Sequence, residues 1–291
     1  MGRRRTFLPG SPNSPDSPVE ELLTLGHLAG EALERVKLQR ARVELAAALQ
    51  RYLLPPKLPD QPPGLRIAAR YAPARGGLDV GGDWYDAFAL TDGSVAMAIG
   101  DVQGHDVEAV AFMGQVRTGL RAIAHTTTDP GEVLEGTNEL LLSMGCGLFA
   151  TCTFVRFDPR TGELAAARAG HVPMVWATAS GRCGVAMNDG GLPLGIQSAE
   201  KYPVNRRRLT EPCVFVLLTD GVVEGPSCPL ESGLDTVMQL VTGGIDASVE
   251  DLAAQVVAVA DLTGHSDDAA VLVACYDGPA NGSLADGADP R

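Results

Sequence analysis

VAMAIGDVQGHDVEAVAFMGQVRTGLRAIA (95–124) changes its hydrophobic period once. Val95–Gly100 is a short apolar run of strand type, and Val107–Ala124 carries apolar residues at helical spacing. Asp101 lies where the first pattern ends. Working outward, strand-type runs fall at Leu65–Ala72, Ala150–Phe157, Glu163–Ala169, Met174–Ala177, Val214–Leu218 and Ala269–Cys275. Helical patterns fall at Pro130–Leu142, Leu230–Val241 and Val249–Thr263. Strands and helices come in groups and do not alternate as regular βαβ units. That order predicts antiparallel sheets covered by helices, an α+β plan.

Before this region, residues 9–18 (PGSPNSPDSP) are too rich in Pro and Ser for regular structure, so residues 1–18 read as a disordered tail. Residues 19–54 read as one amphipathic helix. Leu22, Leu25, Ala29, Ala32, Val36, Val43, Ala46 and Leu53 share a 3.5-residue repeat, which Gln39 and Gln50 interrupt. The repeat fits either a dimerising coiled coil or a helix packed along the next domain. Pro55, Pro56 and Pro59 stop it, because proline has no N–H to donate. The main domain is expected over 55–276, and the Gly-, Ala- and Asp-rich 277–291 reads as a flexible tail.

Across 291 residues, 36 Asp and Glu outnumber 23 Lys and Arg, for a net charge of −13. A surface of that sign repels nucleic-acid phosphates, which argues against DNA or RNA as partner. No apolar run approaches the roughly 18 residues of a membrane span, and the Arg-rich N-terminus lacks the apolar stretch of a signal peptide. The six cysteines form no CxxC pair, and most adjoin apolar residues. They read as small buried hydrophobes of a cytoplasmic protein.

Four segments place Asp at the edge of an apolar strand beside Gly or another Asp: GGDWYD (81–86), IGDVQGH (99–105), LTDG (218–221) and HSDD (265–268). Taken singly, each Asp-Gly reads as a turn. Carboxylates at the ends of buried strands are rigid and partly desolvated. Several that converge repel one another unless a cation lies between them. Hard divalent ions take such oxygen ligands, and the adjoining glycines permit close backbone approach.

Taken together, VGGDWYD (80–86), IGDVQGHD (99–106), AGHVP (169–173), GLPLG (191–195), LLTDGVVEG (217–225) and SDDAAVLV (266–273) resemble the metal-dependent protein phosphatases of the PPM superfamily, the protein phosphatase 2C-like enzymes. The bacterial branch of the stage II sporulation phosphatase and the stress sigma-factor regulators is most similar, and LLPPKLPD (53–60) resembles its entry segment. The resemblance implies a four-layer α-β-β-α sandwich of two antiparallel sheets, holding two Mn²⁺ or Mg²⁺ ions. It implies that Asp101 bridges both metals and that Val102 supplies a backbone carbonyl. Asp220 and Asp267 would bind one metal and Asp83 the second or its waters, with Asp268 the alternative to Asp267. Two such ions neutralise a phosphomonoester and acidify a bridging water. The implied activity is phosphoserine and phosphothreonine hydrolysis, and the implied substrate is a phosphorylated anti-sigma-factor antagonist. Rival readings are a pseudophosphatase that binds a phosphoprotein without turnover and a small-molecule phosphohydrolase.

His105 is the candidate for proton transfer or for fixing its loop, although the eukaryotic relatives place their catalytic histidine where this chain has Gln103. His171 is expected to brace a sheet near the site, and Trp84 and Tyr85 to pack in the core. Asp106 stands where the bacterial family has Gly, and Ala270 where it often has Thr. Asp106 reads either as a helix N-cap or as a charge facing the phosphate.

Overall fold

The computed structural model describes residues 18–55, 57–73, 81–104, 106–187, 189–226, 228–264 and 267–279. The expected tails fall mostly outside these residues, and so does His105. The elements in chain order are α1 (Pro18–Leu53), β1 (Leu65–Ala72), β2 (Trp84–Ala89), β3 (Val95–Val102), α2 (Val107–Ala124), α3 (Pro130–Met144), β4 (Ala150–Asp158), β5 (Glu163–Ala169), β6 (Val175–Thr178), β7 (Cys183–Val185), β8 (Asn205–Arg208), β9 (Cys213–Leu218), α4 (Asp220–Val223), α5 (Leu230–Gly243), α6 (Val249–Val257), α7 (Val259–Thr263) and β10 (Ala269–Tyr276).

The chain divides into two compact units, 1–42 and 43–291. The described part of the first is helical, and its Leu22, Leu23, Leu25, Leu28, Leu33, Val36 and Leu38 are exposed. The second unit begins inside α1. Ala46 there is buried, and Val43, Ala47, Leu49 and Leu53 pack on the same core as α2 and α3. The 3.5-residue repeat is therefore not one seam: its last members belong to the second unit's core.

Two five-stranded antiparallel sheets make the second unit, in the orders β1-β10-β9-β6-β7 and β2-β3-β4-β5-β8. Apolar residues from both sheets, including Met97, Ile99, Phe157, Phe215 and Leu272, form the layer between them. A second core lies between the β2-β3-β4-β5-β8 sheet and α2 and α3. A third lies between the other sheet and α4–α7. The result is the expected α+β sandwich of four layers. β10 (AAVLVACY) is buried along its whole length, as a strand covered on both faces must be.

Three strands and one helix escape the hydrophobic pattern. β2 carries Asp86, a buried carboxylate held by Arg117 Nε (2.9 Å) and by Arg121 Nε and Nη2 (2.6 and 2.7 Å) of α2. β7 and β8 are edge strands, and β8 is Asn-Arg-Arg-Arg. α4 has four residues and replaces the Asp-Gly turn read at 220–221. The helix read over 249–263 is two helices that meet at Ala258. Of the six cysteines only Cys152, Cys213 and Cys275 are buried; Cys146 and Cys183 are exposed, which corrects the reading of most as core residues.

Asp106 caps α2. One carboxylate oxygen accepts from the N–H groups of Glu108 (3.0 Å) and Ala109 (2.9 Å). Its φ of −130° is ordinary extended backbone, so the position makes no demand for Gly. The left-handed turn falls on Gly104, at φ +102°. Asp106→Asn is therefore expected to leave the melting temperature nearly unchanged. Asp106→Ala should cost about 0.5–2 kcal/mol in denaturant unfolding, the usual worth of such a cap.

Candidate metal centre

Antiparallel pairing brings the four acidic segments to one end of the sandwich. Asp83 immediately precedes β2 and Asp101 lies near the end of β3, its neighbour, with Trp84 opposite Gly100. Asp220 follows the end of β9, and Asp267 and Asp268 precede β10, with Leu218 opposite Val271. Two strands thus start and two end at the same edge.

The backbones there approach too closely for side chains. A Cβ on Gly221 would stand 1.9 Å from the Asp268 carbonyl oxygen, and one on Gly100 would stand 2.1 Å from the Trp84 ring. These contacts explain why glycine adjoins the aspartates. Trp84 is fully buried and packs as the sequence suggested.

Asp83 is buried, and Thr219 donates its hydroxyl to it at 2.7 Å. The same Thr219 oxygen accepts from the Ala270 N–H at 2.9 Å. One buried hydroxyl thereby ties the approach to β2 to the β9–β10 pair of the other sheet. Burial raises the Asp83 carboxyl well above the usual range, and the nearby Asp101, Asp220 and Asp268 push the same way. Asp101 is raised to about 7, first by burial and then by Asp220 and Asp267. Asp220 is raised by burial and by Asp267. Among the described residues none of Asp83, Asp101, Asp220 and Asp267 has a Lys or Arg ion-pair partner.

Asp267 and Asp268 separate in kind. Asp268 is buried, and its Oδ2 accepts from Gly81 N–H (2.8 Å), from Gln50 Nε2 (3.0 Å) and from the Tyr71 hydroxyl. Asp267 is exposed and accepts from the Asp268 N–H at 2.8 Å. Gln50 also donates to the Gly81 carbonyl at 2.9 Å. Sequence reasoning missed Gln50, Tyr71 and Thr219. Gln50 even counted as a fault in the helix, although a polar residue at a core-facing helical position was itself the signal.

His171 is buried and bridges the sheets. Its Nδ1 meets the Thr151 hydroxyl at 2.8 Å and its Nε2 the Leu218 carbonyl at 3.1 Å. Thr151 is the β4 partner of Asp101, so the histidine braces the site as expected.

Among the described residues no three His, Cys, Asp or Glu side chains stand at the spacing of ligands around one ion. The carboxylates nevertheless fit a hard divalent cation: Asp83, Asp101 and Asp220 are largely desolvated and mutually repelling, Asp267 stands exposed beside them, and none of the four has a basic counter-charge among the described residues.

Solved PP2C-type phosphatase domains share this two-sheet sandwich. Residues 91–277 match the family model of stage II sporulation protein E (SpoIIE), and the chain belongs to that family. It is 28% identical over 195 residues to the phosphoserine phosphatase RsbU of Bacillus subtilis, covering 67% of this chain and 56% of that protein. The chain thus spans little more than half of that relative's length. The solved RsbU and RsbW domains of Rv1364c from Mycobacterium tuberculosis are 31% identical, with a TM-score of 0.68, over 76% of this chain and 62% of that one. The catalytic domain of the serine/threonine phosphatase PstP, solved with two manganese ions, shares the fold at 16% identity and a TM-score of 0.56, over 73% of this chain and 99% of that one.

The His171 imidazole is held down to about 4 by burial, against 6.5 when free. Between those values the unfolded chain binds a proton that the folded protein refuses, so folding stability falls as pH drops. The expected loss from pH 7 to 4.5 is about 2–3 kcal/mol from this residue. Urea unfolding at both pH values should show a shallower acid dependence for His171→Gln than for the parent.

Proposed function

We propose that this chain is a metal-dependent protein serine/threonine phosphatase. The observation that carries the reading is the convergence of Asp83, Asp101, Asp220 and Asp267 at one end of a SpoIIE-family sandwich. In this reading Asp101 would be the ligand shared by two Mn²⁺ or Mg²⁺ ions, and the Val102 carbonyl would help to hold them. Asp220 and Asp267 complete one site, and Asp83 serves the other. When bound, the ions neutralise the phosphoryl group and acidify a coordinated water.

The chain's own residues supply the frame. Thr219 fixes the Asp83 carboxylate through Oδ2. Gln50, Tyr71 and Gly81 occupy one oxygen of Asp268, which favours Asp267 as the ligand and leaves Asp268 a positioning role. His105, the candidate for proton transfer or for fixing its loop, lies outside the described residues. Of the described cysteines none takes part in this chemistry, which needs no enzyme-bound phosphate.

The proposed substrate is a phosphorylated signalling protein, an anti-sigma-factor antagonist in the first instance. The likeness to a phosphoserine phosphatase and to an RsbU domain joined to an RsbW domain supports that class. No helix among the described residues is long and apolar enough to cross a membrane, which agrees with a cytoplasmic site of action. The exposed leucines of α1 support self-association through residues 19–54.

With Mn²⁺ the protein should release phosphate from a phosphoserine peptide, and excess chelator should abolish the release. Even outer partners of metal ligands are worth about 10–100-fold in affinity or activity. Thr219→Val should therefore lose about that much, and Asp101→Asn more than about 100-fold with the fold intact by circular dichroism. Full turnover in chelator would refute the reading. For the helix, Leu25→Glu combined with Val36→Glu should lower the mass measured by light scattering without changing turnover of the peptide; an unchanged mass would reject the dimer.

A further inference from the structure

Away from the aspartates, a cavity of about 320 Å³ opens between the two sheets on the side where the edge strands β7 and β8 lie. Its walls are apolar and include Leu164, Ala166, Met174, Trp176, Cys213 and Phe215. That volume is at the lower end of the range for small-molecule sites, about 300–1,000 Å³. None of Asp83, Asp101, Asp220, Asp267 and Asp268 lines it.

The mouth is basic, on a chain whose net charge is −13. β8 contributes Arg207 and Arg208, and Arg182 stands nearby in an ion pair with Glu211. The Arg207 guanidinium lies 5.6 Å from the centre of the Trp176 ring, and among the described residues it has no carboxylate partner. Arg208 donates to the Thr161 carbonyl and likewise has no carboxylate partner among the described residues. An apolar chamber with the Arg207 guanidinium beside it, facing no carboxylate among the described residues, is complementary to an apolar body carrying one negative charge.

A smaller space of about 20 Å³, bounded partly by the same Ala166, Met174 and Ala186, adjoins the cavity. Thr153 lines it together with Arg168 and the exposed Asp189, and among the described residues the buried Thr153 hydroxyl has no hydrogen-bond partner. Arg207 pairs with Leu164 and Thr153 with Arg168, four residues apart on β5, a span of about 13 Å at ~3.3 Å per residue.

We propose that the cavity between the sheets is a binding site for a small apolar carboxylate of medium chain length, its tail along Trp176 and Phe215 and its carboxylate on Arg207. The site is separate from the metal centre, and the proposal does not depend on the phosphatase reading.

Octanoate is the probe, added to the full-length protein with Mn²⁺ and followed by calorimetry and tryptophan emission. Of the two tryptophans, Trp84 is fully buried and Trp176 lines the cavity, so the emission change reports on Trp176. Saturable binding at one octanoate per chain is expected, with 1-octanol at least about 10-fold weaker. Arg207→Gln changes an exposed residue and should weaken binding by about 10–100-fold, the worth of a charge-assisted hydrogen bond. Ala166→Leu fills the chamber and should abolish binding at an unchanged melting temperature. Absence of saturable binding would overturn the proposal. So would octanoate binding that survives both substitutions, which would place the fatty chain on another apolar surface such as the exposed leucines of α1, or 1-octanol binding as tightly as octanoate.

Discussion

Carboxylates gathered in a water-poor site repel one another, and the packing around this end of the sandwich holds them there against that repulsion. Asp83, Asp101 and Asp220 are all pushed toward the neutral acid by burial and by neighbouring carboxylates. What keeps them in place is backbone: two strand starts and two strand ends at one edge, with glycine where the chains nearly touch. A charge arrangement this unfavourable within the fold makes physical sense as the receiving half of an interaction with cations.

The supports around the cluster are neutral and buried, which suits that task. Thr219 links Asp83 to the β9–β10 pair through one hydroxyl, and His171 joins β4 to the end of β9. Both span the two sheets, so the relative placement of the sheets and the spacing of the carboxylates are set together. In the same acidic segment as Asp83, Asp86 does find basic partners. Its charge is satisfied by Arg117 and Arg121, and it thereby fastens β2 to α2. The two aspartates are both buried and close in sequence, yet Asp83 accepts from the neutral Thr219 hydroxyl while guanidinium groups reach only Asp86.

The last turns of α1 share in the same construction. Gln50 is buried and donates to Asp268 and to the Gly81 carbonyl, the two segments that flank the site from opposite sheets. Residues from Val43 onward therefore belong with the sandwich, although the sequence places the domain boundary at the prolines after Leu54. Proline marks where a helix must stop, whereas the boundary of a packed unit depends on which helical face finds a core.

Hydrophobic period and turn chemistry determined the α+β class, seven of the ten strands, the helices α2, α3 and α5, and the four strand-end aspartates, because each of these is local. A run such as Ala269–Cys275 has no other way to bury itself, and Asp106 before an apolar helical repeat is a cap by its chemistry alone. The tertiary structure decided the rest. β7 and β8 exist because a neighbour supplies the ladder, not because Cys183–Val185 or Asn-Arg-Arg-Arg favours it. Gln50 and Tyr71 reach Asp268, and not its neighbour Asp267, across 218 and 197 residues of chain. Partners that distant are invisible to any periodicity, since only folding brings them within hydrogen-bonding range.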